Sequence, residues 1–143
     1  TDPGTTIVDN ETGLEWEKLS WDGSIHDLNQ GYSWNGAVVG KLATLNVANF
    51  AGHSDWRLPS PAELLTIVNY GAVQPSTYPS FHTNCNAGCT VATCSCTIEL
   101  GYWTSDSDVS DSANAWLVDF NAGYVFIGTK AGSFLARAVR TVQ

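Results

Sequence analysis

Residues 55–65 have the sequence Asp-Trp-Arg-Leu-Pro-Ser-Pro-Ala-Glu-Leu-Leu and carry the clearest local structural signal of the 143-residue chain. Ser60 has the side chain of a helix N-cap, Pro61 suits the first helical position, and Glu63 completes a capping box. Apolar residues follow at helical spacing, and Gly71 is a stop signal. The stretch therefore predicts a helix that begins after Ser60 and ends at Gly71.

The residues around this helix start are expected to be structural. An arginine before a helix can donate forked hydrogen bonds to a carboxylate or to backbone carbonyls, while a neighbouring tryptophan packs beneath it. Capping groups and buried arginine networks commonly hold such loops. We assign this structural role to Asp55, Trp56, Arg57, Ser60 and Glu63.

Upstream of this helix, alternating apolar and polar residues at 6–9 and 14–17 flank turn residues and predict an opening β-hairpin. Apolar residues recur every three or four positions from Ser33 and predict a further helix that ends near Val47.

Downstream, strands are predicted over 101–105, 115–120, 124–130 and 135–142, forming an antiparallel meander. The order of elements indicates an α+β fold with two helices against a twisted antiparallel sheet, in which the two termini can pair. The length suits a single domain over residues 1–143.

A Pro-, Ser-, Thr-, Asn- and Cys-rich segment, 72–101, separates the second helix from the late strands. Long irregular loops inside compact domains are usually functional or cross-linked. The cysteines here are Cys85, Cys89, Cys94 and Cys96. We expect two disulfides, in which Cys94 and Cys96 each pair with Cys85 or Cys89 in either order, and hence an oxidising compartment. Tetrahedral zinc coordination is the alternative for the same sulfurs.

The charge balance excludes some classes of partner. Six Lys and Arg against fourteen Asp and Glu give a net charge of −8, without the basic cluster that nucleic-acid binding needs. The same sign disfavours sulfated glycans and anionic lipid headgroups. No apolar run approaches the roughly 20 residues of a membrane span. The chain begins at Thr1 without a basic leader, and we expect it to be a mature or excised segment.

Several segments together resemble one family, the Lcl C-terminal domain family. The resemblance is carried, in chain order, by Val8-Asp9-Asn10-Glu11-Thr12-Gly13-Leu14-Glu15-Trp16, Asp55-Trp56-Arg57-Leu58-Pro59-Ser60 with Glu63-Leu64, Tyr102-Trp103-Thr104-Ser105, Ala115-Trp116 through Phe120 and Gly123, and Val139-Arg140. The resemblance covers nearly the whole chain, and the ordered set is more specific than any one segment.

The resemblance implies a C-type-lectin-like fold, distantly similar to that of formylglycine-generating enzymes. It also implies a bacterial surface adhesin whose role is extracellular attachment, which in the namesake includes glycosaminoglycan binding. For this chain the resemblance does not favour a polysulfated ligand, because the chain is acidic and its lysines are only Lys18, Lys41 and Lys130. The cysteine loop, 85–96, also departs from the family pattern.

The predicted ligand-binding surface lies on the late strands and their loops. Aromatic and short polar side chains mix there, as they do in adaptable binding surfaces. The residues are Tyr102, Trp103, Asp106, Asp108, Asn114, Trp116, Asn121 and Tyr124. Because alternate residues of a half-buried strand face the core, Trp103 and Trp116 can point inward instead.

The sequence contains candidate residues for two further kinds of site. Asp106, Asp108 and Asp111 could supply oxygen ligands to Ca²⁺, although a solvated acidic loop is the simpler interpretation. For catalysis, His26, His53 and His82 are scattered and match no metal or nucleophile motif. We therefore expect no enzyme activity and no cofactor apart from the calcium alternative.

The sequence thus predicts a secreted or cell-surface module that binds an extracellular glycan or protein without catalysis. It predicts no nucleic-acid partner and no membrane span. The alternative is a structural subunit of a surface fibre, pilus or filament that assembles with further copies through its β domain.

Overall fold

The computed structural model describes residues 4–143 and contains two three-stranded antiparallel sheets and two helical segments. The predicted α+β class is confirmed. The strands are β1 (Thr6–Asp9), β2 (Leu14–Glu17), β3 (Gly101–Asp108), β4 (Asp111–Asp119), β5 (Tyr124–Thr129) and β6 (Val139–Thr141). The helices are α1, which spans 34–47, and α2 (Pro61–Leu65). Single 3₁₀ turns occur at Phe50–Gly52 and Pro79–Phe81.

The first sheet joins the two ends of the chain, in the order β1-β2-β6. The hairpin β1-β2 turns at Gly13, whose φ of +70° is a conformation that glycine adopts without a steric penalty. Trp16 of β2 pairs with Val139 of β6. The other side of Val139 exchanges two backbone hydrogen bonds of 2.9 Å with Arg57, so the loop before α2 continues this sheet.

The second sheet has the order β3-β4-β5, with hairpin connections. Trp103 pairs with Leu117, and Leu117 pairs with Phe126. The outer edge of β3 is covered, since the Trp103 N–H donates to the Leu135 carbonyl at 2.8 Å. The predicted four-strand meander is therefore wrong in its last member, because the segment after 135 leaves this sheet and β6 joins the first one.

Helix α1 begins at the N-cap Ser33, which accepts a hydrogen bond from the Gly36 N–H at 3.0 Å. Its turns are α-helical over Trp34–Gly36, π-helical over Ala37–Leu42 and α-helical again over Ala43–Val47. Helix α2 is shorter than predicted and ends at Leu65. It ends early because Val68 forms a β-bridge with Thr77, which a continued helix would prevent.

The core lies on both faces of the β3-β4-β5 sheet. On one face, Tyr102 and Val118 pack with Leu64 and Trp16. On the other face, Trp103 and Leu117 pack with α1 and with Trp56. Adjacent strand residues thus enter opposite core clusters, as the alternation of side chains along a strand requires.

Candidate functional site

Two of the predicted ligand-contacting residues, Asn114 and Trp116, lie on the same face of β4. Asn114 pairs with Thr129 of β5, and Trp116 pairs with Ile127. Cross-strand partners and residues two apart along a strand project to the same side of a sheet. These four side chains therefore form one surface together with Val125, which we call the β4–β5 face.

The β4–β5 face is open to solvent around the Trp116 ring. Trp116 and Asn114 are half-buried, while Ile127 is 41% and Val125 is 36% exposed. Within residues 4–143, no group accepts a hydrogen bond from the Trp116 indole N–H. The face therefore offers an aromatic ring and an available donor, next to the Asn114 amide and the Thr129 hydroxyl.

Tyr102 and Trp103, which were predicted to lie on the ligand surface, are core residues. They are 1% and 0% exposed. The Trp103 indole N–H donates to the Tyr32 carbonyl at 2.8 Å, and the Tyr102 ring packs edge-on against Phe120 at 5.1 Å. The prediction is wrong for both residues, because protein covers both faces of β3 at this point and neither ring reaches solvent.

The acidic residues of the β3–β4 hairpin do not form a common site. Asp108 is buried and accepts hydrogen bonds from the Ser110 N–H at 3.0 Å and the Ser110 hydroxyl at 2.8 Å. Asp106 and Asp111 are exposed, and they accept hydrogen bonds from the Ser105 hydroxyl and the Ala113 N–H, respectively. Across residues 4–143, the one convergent group of three metal-ligating side chains is made of cysteines. The calcium alternative at Asp106, Asp108 and Asp111 is therefore not supported by the geometry.

Asn121 and Tyr124 lie at the far end of the sheet, away from the β4–β5 face. Asn121 is exposed in the β4–β5 turn, and Tyr124 is 53% exposed and contacts Phe126 on the opposite face at 5.9 Å. A hydrogen bond to Asp119 raises the pKa of the Tyr124 hydroxyl. The eight predicted residues therefore do not converge, because the sheet itself separates them.

Three further residues of the β4–β5 face and the β4–β5 turn were not predicted from the sequence. Ile127 and Thr129 join the β4–β5 face through strand register, which a single sequence does not specify. Tyr70 is 71% exposed and its ring would lie 3.0 Å from a Cβ at Gly123, so it packs over the β4–β5 turn. A longer α2 was predicted through this position, and the sequence offered no signal for its real placement.

A separate apolar groove of about 540 Å³ lies between α1 and the segment before α2. The polar groups of Trp34 and Asn46 in its wall already form hydrogen bonds with other parts of the domain. The Trp34 indole N–H donates to the Thr104 carbonyl at 2.9 Å, and the Asn46 amide clamps the Trp56 backbone at 2.8 and 3.0 Å. The groove therefore has apolar walls and few groups that could orient a ligand.

The cysteine loop is closed by two disulfides, as predicted. The bonds are Cys85–Cys96 and Cys89–Cys94. The two bridges touch, since the Cys96 Sγ lies 3.8 Å from the Cys89 Sγ. This arrangement resolves the pairing that the sequence left open.

Comparison with known proteins gives the family. Residues 5–140 match the model of the Lcl C-terminal domain. The chain belongs to this family. No curated protein matches the chain. In residues 4–143, no helix has the length and apolar character that a membrane span requires.

In this Lcl C-terminal domain, an ion pair between Arg57 and Glu63 stabilises the start of α2. The guanidinium donates to both carboxylate oxygens at 2.7 and 2.8 Å, and Ser60 and Glu63 form the complete capping box. The hydrogen-bonded guanidinium of Arg57 lowers the pKa of Glu63 below its ordinary value of 4.5. One carboxylate thus serves both the cap and the ion pair.

Trp56 and Asp55 attach this segment to the rest of the domain. Trp56 is 3% exposed, and its indole N–H donates to the Phe50 carbonyl at 3.0 Å. Asp55 accepts a 2.7 Å hydrogen bond from Arg140, which also binds Glu15 at 2.6 Å. These contacts join the segment to β6 and to the 3₁₀ turn at Phe50–Gly52.

All six cationic side chains of the domain have partners within the fold. Lys41 and Arg137 are 1% exposed, and Arg140 is 6% exposed. Arg57 is paired with Glu63. Lys18 donates to the Gly4 carbonyl at 2.8 Å, and the Lys130 ammonium lies 4.5 Å from the centre of the Trp34 ring. The cations are thus spread through the fold and do not gather into a basic surface.

Each of the three histidines has a different partner within the fold. The His26 Nδ1 lies 2.6 Å from the Glu17 carboxylate, and the His53 Nε2 lies 3.8 Å from the Glu15 carboxylate. The His82 Nδ1 accepts a hydrogen bond from a backbone N–H at 3.2 Å. Burial, reinforced by the charge of Arg137, lowers the pKa of His82.

Proposed function

We propose that this chain is a secreted or cell-surface, non-catalytic adhesion module that binds a neutral carbohydrate through the β4–β5 face. The proposal includes the C-type-lectin-like architecture that the family resemblance implies. The observation that carries it is the half-buried Trp116 ring, whose indole N–H has no partner within residues 4–143. A protein epitope is the alternative ligand for the same face.

The chemistry of the face favours a sugar. Trp116 presents a ring for stacking, and Asn114 and Thr129 on the same face offer short polar groups for sugar hydroxyls. Within the described residues, the Asn114 side chain reaches only the Asp111 carboxylate, at 3.5 Å. Apolar side chains, Ile127 and Val125, extend the contact beside the ring.

The charge distribution favours an uncharged ligand. The net charge is −8, and the buried or paired cations leave no cluster that could neutralise sulfate groups. A polysulfated chain would meet repulsion from the acidic surface. The two disulfides support the extracellular location, because such bonds persist in oxidising compartments.

A glycan array on the oxidised protein, with and without EDTA, tests this function. We expect binding to neutral glycans that survives EDTA. Trp116→Ala should weaken binding about ten- to thirtyfold, the range of a central aromatic contact. Trp21→Ala is the matched control, because Trp21 is 42% exposed in a loop outside the sheet.

Several outcomes would contradict the proposal. Equal binding by wild type and Trp116→Ala would exclude the β4–β5 face. Binding only to sulfated glycans would exclude the neutral ligand. Binding to a host protein and to no glycan would favour the epitope alternative.

A second candidate function is a structural subunit that assembles through β5. Among residues 4–143, no strand pairs with the outer edge of β5, and its Tyr124–Thr129 segment contains no charged residue or proline. Unprotected apolar edges are templates for pairing with another chain. This edge is the specific observation that favours assembly.

Light scattering coupled to size-exclusion chromatography separates the two functions. A building block should form oligomers without any ligand, and Ile127→Lys should return it to a monomer. Val109→Lys is the control, because Val109 is fully exposed in the β3–β4 hairpin. A wild-type monomer at high protein concentration would exclude the building block and leave the adhesion proposal intact.

A further inference from the structure

The sulfurs of the cysteine loop form one compact cluster. The Cys96 Sγ lies 3.8 Å from the Cys89 Sγ and 3.8 Å from the Cys94 Sγ, in addition to its bond with Cys85. The Sγ atoms of Cys85, Cys89 and Cys96 all lie within 4.8 Å of one another, and the fourth sulfur, that of Cys94, lies outside this group while bonded to Cys89. In a tetrahedral site with metal–sulfur bonds of about 2.3 Å, neighbouring sulfurs lie about 3.8 Å apart. The spacing between the two bridges already has this value.

Backbone contacts hold the loop independently of the disulfides. The Cys96 N–H donates to the Leu19 carbonyl at 3.0 Å, and the Trp21 N–H donates to the Cys89 carbonyl at 3.0 Å. Thr83 and Ser95 exchange two backbone hydrogen bonds of 2.8 and 3.0 Å. These bonds join the two ends of the loop to each other and attach it to residues 19 and 21, so the disulfides are not its only connections.

We propose that the four cysteines, when reduced, form a tetrathiolate site for a thiophilic divalent cation such as Zn²⁺. Four thiolates are the donor set that selects such ions over hard cations. Bound to Zn²⁺ they would carry a net charge of −2. Arg137, whose guanidinium donates to the Cys96 carbonyl at 2.6 Å and to the Thr97 hydroxyl at 2.8 Å, offsets this charge.

Disulfide formation and metal binding compete for the same sulfurs. Reduction of the two disulfides consumes four electrons and four protons, which two molecules of a dithiol reductant supply as each becomes a cyclic disulfide. The four thiols then lose their protons as the cation binds. The loop is therefore cross-linked by sulfur–sulfur bonds in an oxidising compartment and by the metal in a reducing one.

Cobalt binding tests the site directly. The full chain is reduced with a phosphine under anaerobic conditions, the reductant is removed, and Co²⁺ is titrated while the visible spectrum is recorded. We expect one equivalent of Co²⁺ to give the intense ligand-field and thiolate charge-transfer bands of tetrahedral coordination. Zn²⁺ should abolish them by displacement. The oxidised protein is the control and should give no bands.

Variants separate a built site from adventitious thiol binding. Cys94→Ser and Cys85→Ser should each weaken Co²⁺ binding at least about tenfold, because each removes one of four ligands. His82→Gln should leave the spectrum unchanged, since no imidazole belongs to the proposed donor set. Equal affinity in wild type and Cys94→Ser would contradict the proposal.

Near-ultraviolet circular dichroism covers the case in which the reduced protein loses its fold. Refolding on addition of one equivalent of Zn²⁺ supports the site, because metal binding then supplies folding free energy. A reduced chain that stays unfolded with Zn²⁺, or a folded one without cobalt bands, overturns the proposal.

Discussion

Lys41 and Glu17 form an ion pair inside the domain, with 3.0 Å between the Lys41 Nζ and the Glu17 Oε1. The two side chains are 1% and 0% exposed. The Lys41 ammonium also donates to the Ala136 carbonyl at 2.9 Å, and the same Glu17 oxygen accepts from the Ala138 N–H at 2.9 Å. The pair thus links β2 and α1 to the segment before β6.

The environment lowers the pKa values of both groups. Burial alone would raise the pKa of Glu17, but the charge of Lys41 and the hydrogen bond from His26 outweigh it, and the pKa is lowered. Burial lowers the pKa of Lys41, although Glu17 opposes the change. Each partner therefore depends on the other for its charged state.

Removal of one partner should destabilise the domain strongly. We expect Lys41→Met to reduce the free energy of unfolding by about 3–5 kcal/mol, because it leaves the Glu17 carboxylate buried without its cation. Urea denaturation followed by tryptophan fluorescence measures this. Lys18→Met, at a half-buried lysine whose ammonium donates to the Gly4 carbonyl, should change the value by about 0.5 kcal/mol or less. A loss for Lys41→Met that is as small as the control would show that the buried charge is neutralised in another way.

Acid should weaken the start of α2 through Glu63. Its pKa is lowered in the folded state, chiefly by the hydrogen bond from Arg57, so the folded protein binds its proton less readily than the unfolded chain does. The stabilisation is therefore fully present above the ordinary value of 4.5 and is lost as the pH falls through the lowered folded value.

The measurement is the melting temperature of wild type and Glu63→Gln between pH 7 and pH 3. We expect the two curves to differ most at neutral pH and to converge as the pH falls below 4.5, where the wild-type carboxyl also becomes neutral. Asp9→Asn is the comparison, because hydrogen bonds from Thr12 and Glu11 lower the pKa of this turn carboxylate and no cation of residues 4–143 is among the causes. Parallel curves for wild type and Glu63→Gln would show that protonation of Glu63 does not cause the loss of stability in acid.

The predictable parts of the fold are those encoded by adjacent residues. The capping box of Ser60 and Glu63 and the turn at Gly13 need only local chemistry, and both are present. The end of α2 was wrong because the bridge between Val68 and Thr77 overrides helical periodicity. Such a bridge depends on tertiary pairing, which no local window contains.

The candidate site was predicted less well, for a related reason. Trp103 and Trp116 are both aromatic residues in strands, yet the first is fully buried and the second half-buried. The difference is set by what covers each position of the sheet, and the sequence does not state this. Lys41 illustrates the same limit, because its partner Glu17 lies 24 positions away and gives no pattern that pairs them.

The two disulfides should contribute unequally to stability. Cys85–Cys96 closes a loop with a sequence separation of 11, whereas Cys89–Cys94 closes one of 5. The loop-entropy model gives about 3 kcal/mol for the larger loop and about 2 kcal/mol for the smaller one. Cys96 is also fully buried, so its removal disturbs the core cluster that contains Trp16.

We therefore expect the double variant Cys85→Ala/Cys96→Ala to melt at a lower temperature than Cys89→Ala/Cys94→Ala. Calorimetry under non-reducing conditions measures both. Peptide mapping of the wild type should first identify the pairs 85–96 and 89–94. The reverse order of melting temperatures would show that the smaller, more exposed loop carries more of the stabilisation than its size implies.

Two glycines should respond in opposite directions to replacement by alanine. A Cβ at Gly40 of α1 would meet no heavy atom within 4 Å, whereas a Cβ at Gly101 would lie 2.6 Å from the Phe126 Cζ and 3.2 Å from the Phe134 Cδ1. Gly40→Ala should stabilise the domain by about 0.4–1 kcal/mol, because alanine lowers the conformational entropy of the unfolded chain and has a higher helix propensity than glycine. Gly101→Ala should destabilise it by about 1–3 kcal/mol, because two packed rings must move. Chemical denaturation of both variants measures the difference. Equal changes in the free energy of unfolding would mean that the rings of Phe126 and Phe134 can move aside from the new methyl group without a measurable cost.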